Sequence, residues 1–360
     1  MYKLSISLAA IVLSEHASAH NLNLRGALRG AASSSYSSDV NGTSLSLGDG
    51  STPLNEYGFL MTHDSATGYL NSRRRLSEVE GTATEQVGGV VNDWAITQST
   101  GFGGQLGCGA RAFDVRPYQK DDGSIIMHHG DVKVDHSFTE AIQEVIDWAN
   151  SNTDELVLLY LSHFDGASTC ETEVKAAMAT LGVHVAACSE LSGLTVDGAM
   201  TLGALSGGGR VLATDGCVAE NYDSSITCYK NPFSVEKFQK TEGGDKGANG
   251  DVQFLGFDTC YGDDMTTRNS MYAYLDTVAA MTPSSDGTLN MAQGHWQSDS
   301  YSVTAGTLSG SSLLKDEESS QLNSVLASDK VAGYAHLNLL EVDNVCDGGL
   351  ELLAAIRARA

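Results

Sequence analysis

The sequence predicts an α/β fold, a single-domain TIM-type (β/α) barrel, regular or distorted. Three observations lead there. Apolar runs of strand length alternate with helical patterns through most of the 360 residues, the rhythm of a parallel α/β protein. One run, residues 156–161 (LVLLYL), is apolar at nearly every position, as a strand covered on both faces must be. The chain is longer than most single-core domains, but such barrels routinely reach about 250 residues or more as one domain.

The elements follow in order. Lys3 precedes an apolar stretch from Leu4 to Leu13, and Ala17-Ser18-Ala19 offers small residues for cleavage, so residues 1–19 read as a secretory signal. That stretch is far shorter than the roughly 20 apolar residues of a membrane span. Residues 20–51 are rich in Ser, Gly and Ala without an apolar face, which marks a flexible leader. Within it Asn41-Gly42-Thr43 is a glycosylation sequon. The barrel is expected over 52–360, with strand-length runs at 56–63, 110–118, 125–130, 156–164, 210–215, 252–258, 289–296 and 334–343. Between the third and fourth runs Ser137 and Glu140 have the spacing of a capping box, and Ile142, Val145, Ile146 and Ala149 repeat at helical spacing. Helices are also expected near 171–181, 271–281 and 319–328.

Seven cysteines without a CxxC pair or a zinc-like Cys/His spacing suit an oxidising compartment. Cys170 with Cys188, and Cys217 with Cys228, are the expected local disulfides, leaving one residue over among Cys108, Cys260 and Cys346. Twenty-one basic against 45 acidic residues give a net charge of −24. Such a surface repels phosphate backbones and anionic lipid over a Debye length of about 8 Å. Nucleic acid is thereby excluded as a partner, and membrane contact is expected to be peripheral at most. The basic cluster Arg73-Arg74-Arg75 reads as a processing site or a solvated loop.

In a barrel, chemistry gathers at the C-terminal ends of the strands. His63 and Asp64 end the first run, Asp114 and Arg116 the second, His128 and His129 the third, and Asp343 the last. Together they supply a base, an acid, orienting carboxylates and a cation for developing charge, a set that can transfer a phosphoryl group without metal. HExxH, P-loop and GxSxG patterns are absent, which removes zincins, P-loop hydrolases and the usual serine hydrolases.

THDSAT at 62–67, the stretch 105–130 with its FDVR and HHG, and the strand-helix-strand sequel ending in LYLSH resemble the X-domain of phosphatidylinositol-specific phospholipase C. The match is closest to the bacterial, metal-independent branch. The resemblance covers 56–164 well and the chain from there to Asp343 loosely. It implies that His63 deprotonates the inositol 2-hydroxyl, which attacks phosphorus to give a cyclic phosphodiester, and that His129 protonates the leaving oxygen. Asp64 would pair with that acid, and Asp343 would fix the tautomer of His63, as orienting carboxylates do elsewhere. Metal-dependent relatives hold a divalent ion with two acidic residues on the second strand. Here Asp114 is followed two positions later by Arg116, whose permanent charge would repel a cation and bind phosphate itself, so neither metal nor cofactor is expected. Arg111 reads as structural. His163 is expected near the phosphate, and Asp114, Asp258 and Trp296, with His295, near the headgroup.

Residues 73–91 depart from the family pattern as an insertion. The expected protein is a secreted, monomeric phosphoric diester hydrolase acting on a phosphoinositide, a GPI-like anchor or a soluble phosphodiester. Two other readings are a non-catalytic headgroup- or sugar-binding barrel, and a metal-dependent glycerophosphodiesterase-like enzyme.

Overall fold

Alternation of side chains along the strands is what builds the two-sided core. The computed structural model describes residues 50–70, 93–221, 265–295 and 312–359. The signal and nearly all of the leader, the sequon, Arg73–Arg75 and the insertion lie outside the described residues. So do the 252–258 run with Asp258, and Trp296, Cys228 and Cys260. Twelve strands are named here: β1 (Phe59–Thr62), β2 (Ala112–Val115), β3 (Pro117–Gln119), β4 (Ile125–His129), β5 (Val132–Val134), β6 (Val157–Leu161), β7 (Asp165–Gly166), β8 (His184–Ala186), β9 (Val211–Thr214), β10 (Val218–Ala219), β11 (Leu289–Gln293) and β12 (Leu339–Val342). Eight form one parallel sheet in the order β10-β11-β12-β1-β2-β6-β9-β8. It is the curled sheet of a TIM-type barrel, and among the described residues no ladder joins its two edge strands.

Phe59 and Met61, Ala112, Leu158, Leu212, Leu289 and Met291, and Leu339 form one apolar cluster on the inner face. The residues between them, Leu60, Phe113, Val115, Leu159, Leu161, Val211, Ala213, Ala292, Leu340 and Val342, pack with helical side chains in the other. Helix Phe138–Ser151 supplies Phe138, Ala141, Ile142, Val145, Ile146 and Ala149 to that layer, and the Ser137 side chain caps it by accepting from Glu140 N–H. Helices Cys170–Thr180 and Met265–Ala279, and the turns from Leu313 to Lys330, fall where the helical patterns predict them. None of the described helices is long and apolar enough to cross a membrane.

Two expectations are corrected. The third apolar run is not a barrel strand: β4 belongs to a separate four-stranded sheet, β5-β4-β3-β7, that leaves the barrel after β2. β2 pairs directly with β6 instead, and the strands the sequence did not show are the two edge strands, β8 and β10, with three and two residues, too short for any periodicity to register. The disulfides also differ, since Cys108 pairs with Cys346 and Cys188 with Cys217, and Cys170 is free and buried. Spatial adjacency overrides sequence proximity here: 238 residues separate Cys108 from Cys346, yet their Cα atoms lie 4.8 Å apart.

Phe113 is fully buried between the sheet and the Phe138–Ser151 helix layer. Phe113→Ala is expected to cost about 3–5 kcal/mol of unfolding free energy, the usual range for a buried Phe. Chemical denaturation followed by circular dichroism checks this, and a loss below about 1 kcal/mol contradicts the assigned packing.

Candidate active site

The inner-face alternation, continued past the strand ends, turns polar. Counting by two from the apolar inner residues gives His63 after β1, Asp114 on β2 and Arg116 after it, Ser162 after β6, His295 after β11, and Glu341 on β12 with Asp343 after it. All strands of the sheet are parallel, so these residues collect at one end.

His63 sits between two carboxylates, with Nδ1 2.9 Å from Asp343 Oδ1 and Nε2 3.1 Å from Asp64 Oδ2. The same Asp64 oxygen is 3.1 Å from Nε2 of His129. His129 arrives from β4, and its Nδ1–H donates to the Ala95 carbonyl at 2.8 Å, which leaves Nε2 facing the site. Arg116 bridges two acids, Nη1 to Asp64 Oδ1 and Nη2 to Asp114 Oδ2, both at 2.7 Å. Its Nε is buried with no hydrogen-bond partner among the described residues. The carboxylate side chains of Asp64, Asp114 and Asp343 are 1–3% exposed, whereas those of Arg116, His63 and His129 are 14–29% exposed. The bases and the guanidinium are therefore the groups an incoming molecule meets.

The backbone at this end is held by a buried segment, 95–98. Thr97 Oγ1–H donates to the His63 carbonyl at 2.8 Å, and Gln98 Nε2–H to the Val342 carbonyl at 2.9 Å. Gln98 Oε1 accepts from Val345 N–H at 3.1 Å, and the Thr97 carbonyl from Asn344 N–H at 2.7 Å. The β1 and β12 ends are thus fixed together, and with them His63 and Asp343. Asp64 adopts φ 41°, a left-handed conformation that Asp tolerates better than most residues, and this aims its N–H at Asp114 Oδ2 at 3.0 Å.

Electrostatics follow from the crowding. Burial alone would lower the pKa of His63, but the Asp64 and Asp343 carboxylates raise it to about 10. Burial works against ionisation of Asp64, yet Arg116, with the surrounding histidines, brings it down to about 2. Burial opposes the charge of Arg116, which Asp114 and Asp64 more than restore.

Neither set of potential metal ligands suits a divalent ion. Between Asp64 and Asp114 the guanidinium of Arg116 already supplies the positive charge. In the set His63, His295 and Asp343, the two imidazoles stack face to face, 4.0 Å between centroids and 9° between planes. An ion bound in the plane of one ring lies out of the plane of the other.

The structure brings together His63, Asp64, Asp114, Arg116, His129 and Asp343. His163 stands at one remove: exposed, at φ 49°, it has Nδ1 2.8 Å from Ser162 Oγ, which donates to Asp114 Oδ1 at 2.9 Å. His128 points away, its ring nitrogens against the carbonyls of Gly130 and His163. Arg111 pairs with Glu155 at 3.0 Å and lies over Trp148, away from these groups. Sequence reasoning missed Thr97, Gln98, Ser162 and Glu341. Of these only Glu341 carried a usable signal, a charge two positions before Asp343 in an otherwise apolar run.

No protein-family model matches the chain. Over 133 residues, 33% of its length, it is 28% identical to PI-PLC X domain-containing protein 1 of Mus musculus, and the match spans 37% of that protein. A variant of the phosphatidylinositol-specific phospholipase C from Staphylococcus aureus superposes with a TM-score of 0.53 at 15% identity, covering 85% of this chain and 95% of the other. A second structure of that enzyme, described for its membrane binding, gives 0.52 at 14% identity, covering 85% and 94%. The chain has the phosphatidylinositol-specific phospholipase C fold. The expected resemblance to the X-domain family is borne out in architecture and, over that third of the chain, in sequence.

The raised pKa of His63 makes stability depend on pH. Its contribution is complete below the unfolded value of about 6.5 and is lost as pH rises through about 10. Melting temperature is accordingly expected to fall between pH 8 and 10, and His63→Gln to flatten that slope. Scanning calorimetry across this interval checks it, and equal slopes for both proteins contradict the His63 charge state.

Proposed function

We propose that the chain is an exported phosphoric diester hydrolase of the phospholipase C type, acting as a single chain on a phosphoinositide or GPI-like phosphodiester. The carrying observation is the arrangement of two imidazole nitrogens, each 3.1 Å from one Asp64 oxygen, beside a guanidinium whose Nε lacks a partner among the described residues. The leader pattern at 1–19 and the two disulfides support export.

In this reading the phosphodiester displaces part of the carboxylate contact of Arg116 and binds the guanidinium, a bidentate partner for phosphate. His63 takes the proton of the headgroup hydroxyl next to the phosphate. The oxygen so freed bonds to phosphorus as the bond to the leaving alkoxide breaks, and His129 delivers a proton to that alkoxide. The product is a cyclic phosphodiester, which water opens by the reverse sequence, His129 accepting the water proton and His63 returning one to the ring oxygen. Asp343 holds Nδ1 of His63, so that Nε2 does the exchange. Asp64, against both imidazoles, helps to stabilise whichever is protonated. Substrate contact for Asp114 and His163 belongs to the same reading, as does the headgroup role of Asp258 and Trp296.

Cleavage of phosphatidylinositol and of a GPI-linked substrate by the purified protein, with and without EDTA, tests this. Turnover is expected to survive EDTA, and His63→Ala or His129→Ala to lose at least about 10²-fold in kcat, the usual scale of acid-base groups. Loss of turnover with EDTA overturns the role of Arg116. No turnover of either substrate overturns the proposed substrate class and favours a binding function or another phosphodiester. Because His63 must shed its proton to act as a base, kcat should rise with pH beyond the ordinary histidine range. Asp343→Asn, which removes one of the raising charges, should move that rise to lower pH, and an unmoved rise assigns it to another group.

A further inference from the structure

Glu341 and His295 lie inside the same end of the barrel and have no part in the mechanism above. Both are almost fully buried, at 1% and 2% exposure, and His295 Nε2 is 3.2 Å from Glu341 Oε2. The His295 ring stacks flat on His63. Two cationic imidazoles at that separation repel strongly, and His63 has a carboxylate on each ring nitrogen. His63 is therefore the cation and His295 the neutral ring.

Glu341 then faces an imidazole without charge. The groups around it come from every packed element: His63 and Asp64 after β1, Asp114 of β2 and Arg116 after it, Tyr160 of β6, His295 after β11, and its neighbour Asp343. The cations among them are already shared, Arg116 between Asp64 and Asp114, and His63 between Asp64 and Asp343. Among the described residues three carboxylates already meet two cations, and a fourth anion there has no counter-charge.

We propose that Glu341 and His295 form a neutral carboxylic acid–imidazole pair, which holds His63 by stacking and keeps a fourth negative charge out of the phosphate site. The protonated carboxyl of Glu341 keeps its proton and donates a hydrogen bond to His295 Nε2. Electrostatics agree: burial pushes the Glu341 carboxyl up to about 7, against the pull of His63. Burial first, and then the charge of His63, hold His295 down to about 3. The inference rests on the phosphodiesterase reading only for its kinetic consequence. As Glu341 ionises above neutral pH, the anionic substrate meets one more negative charge and KM rises, while kcat follows the proton on His63. These are positioning residues, since neither needs to touch the substrate.

The test combines nitrogen NMR of the histidine rings in the substrate-free protein with KM and kcat against pH for wild type, Glu341→Gln and His295→Phe. The expected spectra show His295 neutral and His63 cationic from pH 5 to pH 8, the signals assigned by His295→Phe and by His63→Gln. KM of wild type is expected to climb above neutral pH by up to about tenfold per unit, the slope of one ionisation. That climb should be absent in Glu341→Gln, which keeps shape and a donor without the charge. His295→Phe keeps the stacked face but leaves Glu341 without its imidazole partner, and the climb should start at a different pH. A cationic His295 at neutral pH, or the same climb in Glu341→Gln as in wild type, overturns the proposal. If no variant turns over either lipid substrate, the functional reading fails, while the ring spectra still decide the pair.

Discussion

Four carboxyl groups share one buried space at the C-terminal end of the barrel, and everything around them answers to the cost of keeping them there. Asp64, Asp114, Glu341 and Asp343 are each 2% exposed or less. Removing an unpaired carboxylate from water costs several kcal/mol even after relaxation. Arg116 meets two of them at 2.7 Å each, and His63 meets two within 3.1 Å. The two cations are as much a condition of folding as of chemistry. A permanently charged guanidinium at position 116 does the work that a bound ion would do between two acids, without depending on supply from solution.

Charge balance alone does not set geometry. The positions of the two imidazoles come from backbone groups far apart in sequence: the carbonyl of Ala95 orients His129, and Thr97 and Gln98 tie the ends of β1 and β12 together. The disulfide from Cys108 to Cys346 pins the loop three residues beyond Asp343. Reactive side chains are thus held on strand ends braced by a second set of hydrogen bonds, the condition for a site pre-formed to within fractions of an ångström. Away from the site, Arg111 and Arg357 share one carboxylate, Glu155, in an ion triad that packs against Trp148. In the site, by contrast, two imidazoles and a guanidinium converge on a single carboxylate, Asp64.

The sequence made the barrel legible through its long strands, because β1, β2, β6, β9, β11 and β12 carry enough apolar residues for periodicity to register. It also made the site legible through the residues that end them. His63, Asp64, Arg116, His129 and Asp343 were all readable, and they converge. The run around His128 and His129 misled, since a ribbon strand packed against the barrel has the same apolar character as a barrel strand. Alternation within it does not reveal its sheet. Thr97 and Gln98 were invisible because they act through carbonyl groups, which every residue has. The disulfides were misread because loop length favours near neighbours only when the fold is ignored.

Arg116 also decides which charges in the site remain variable. A guanidinium held between Asp64 and Asp114 neither titrates in the working range nor dissociates. In the proposed reading, the charge that an anionic substrate meets then varies with the protons on His63 and Glu341. His63 is biased toward its cation by two acids, and Glu341 toward its neutral form by burial and by the shortage of counter-charge. These biases act in the same direction, each adding positive charge or removing negative charge near the guanidinium. In the proposed reading, a chain with a net charge of −24 thereby keeps one small region able to receive a phosphate, by holding protons where its surface would otherwise repel one.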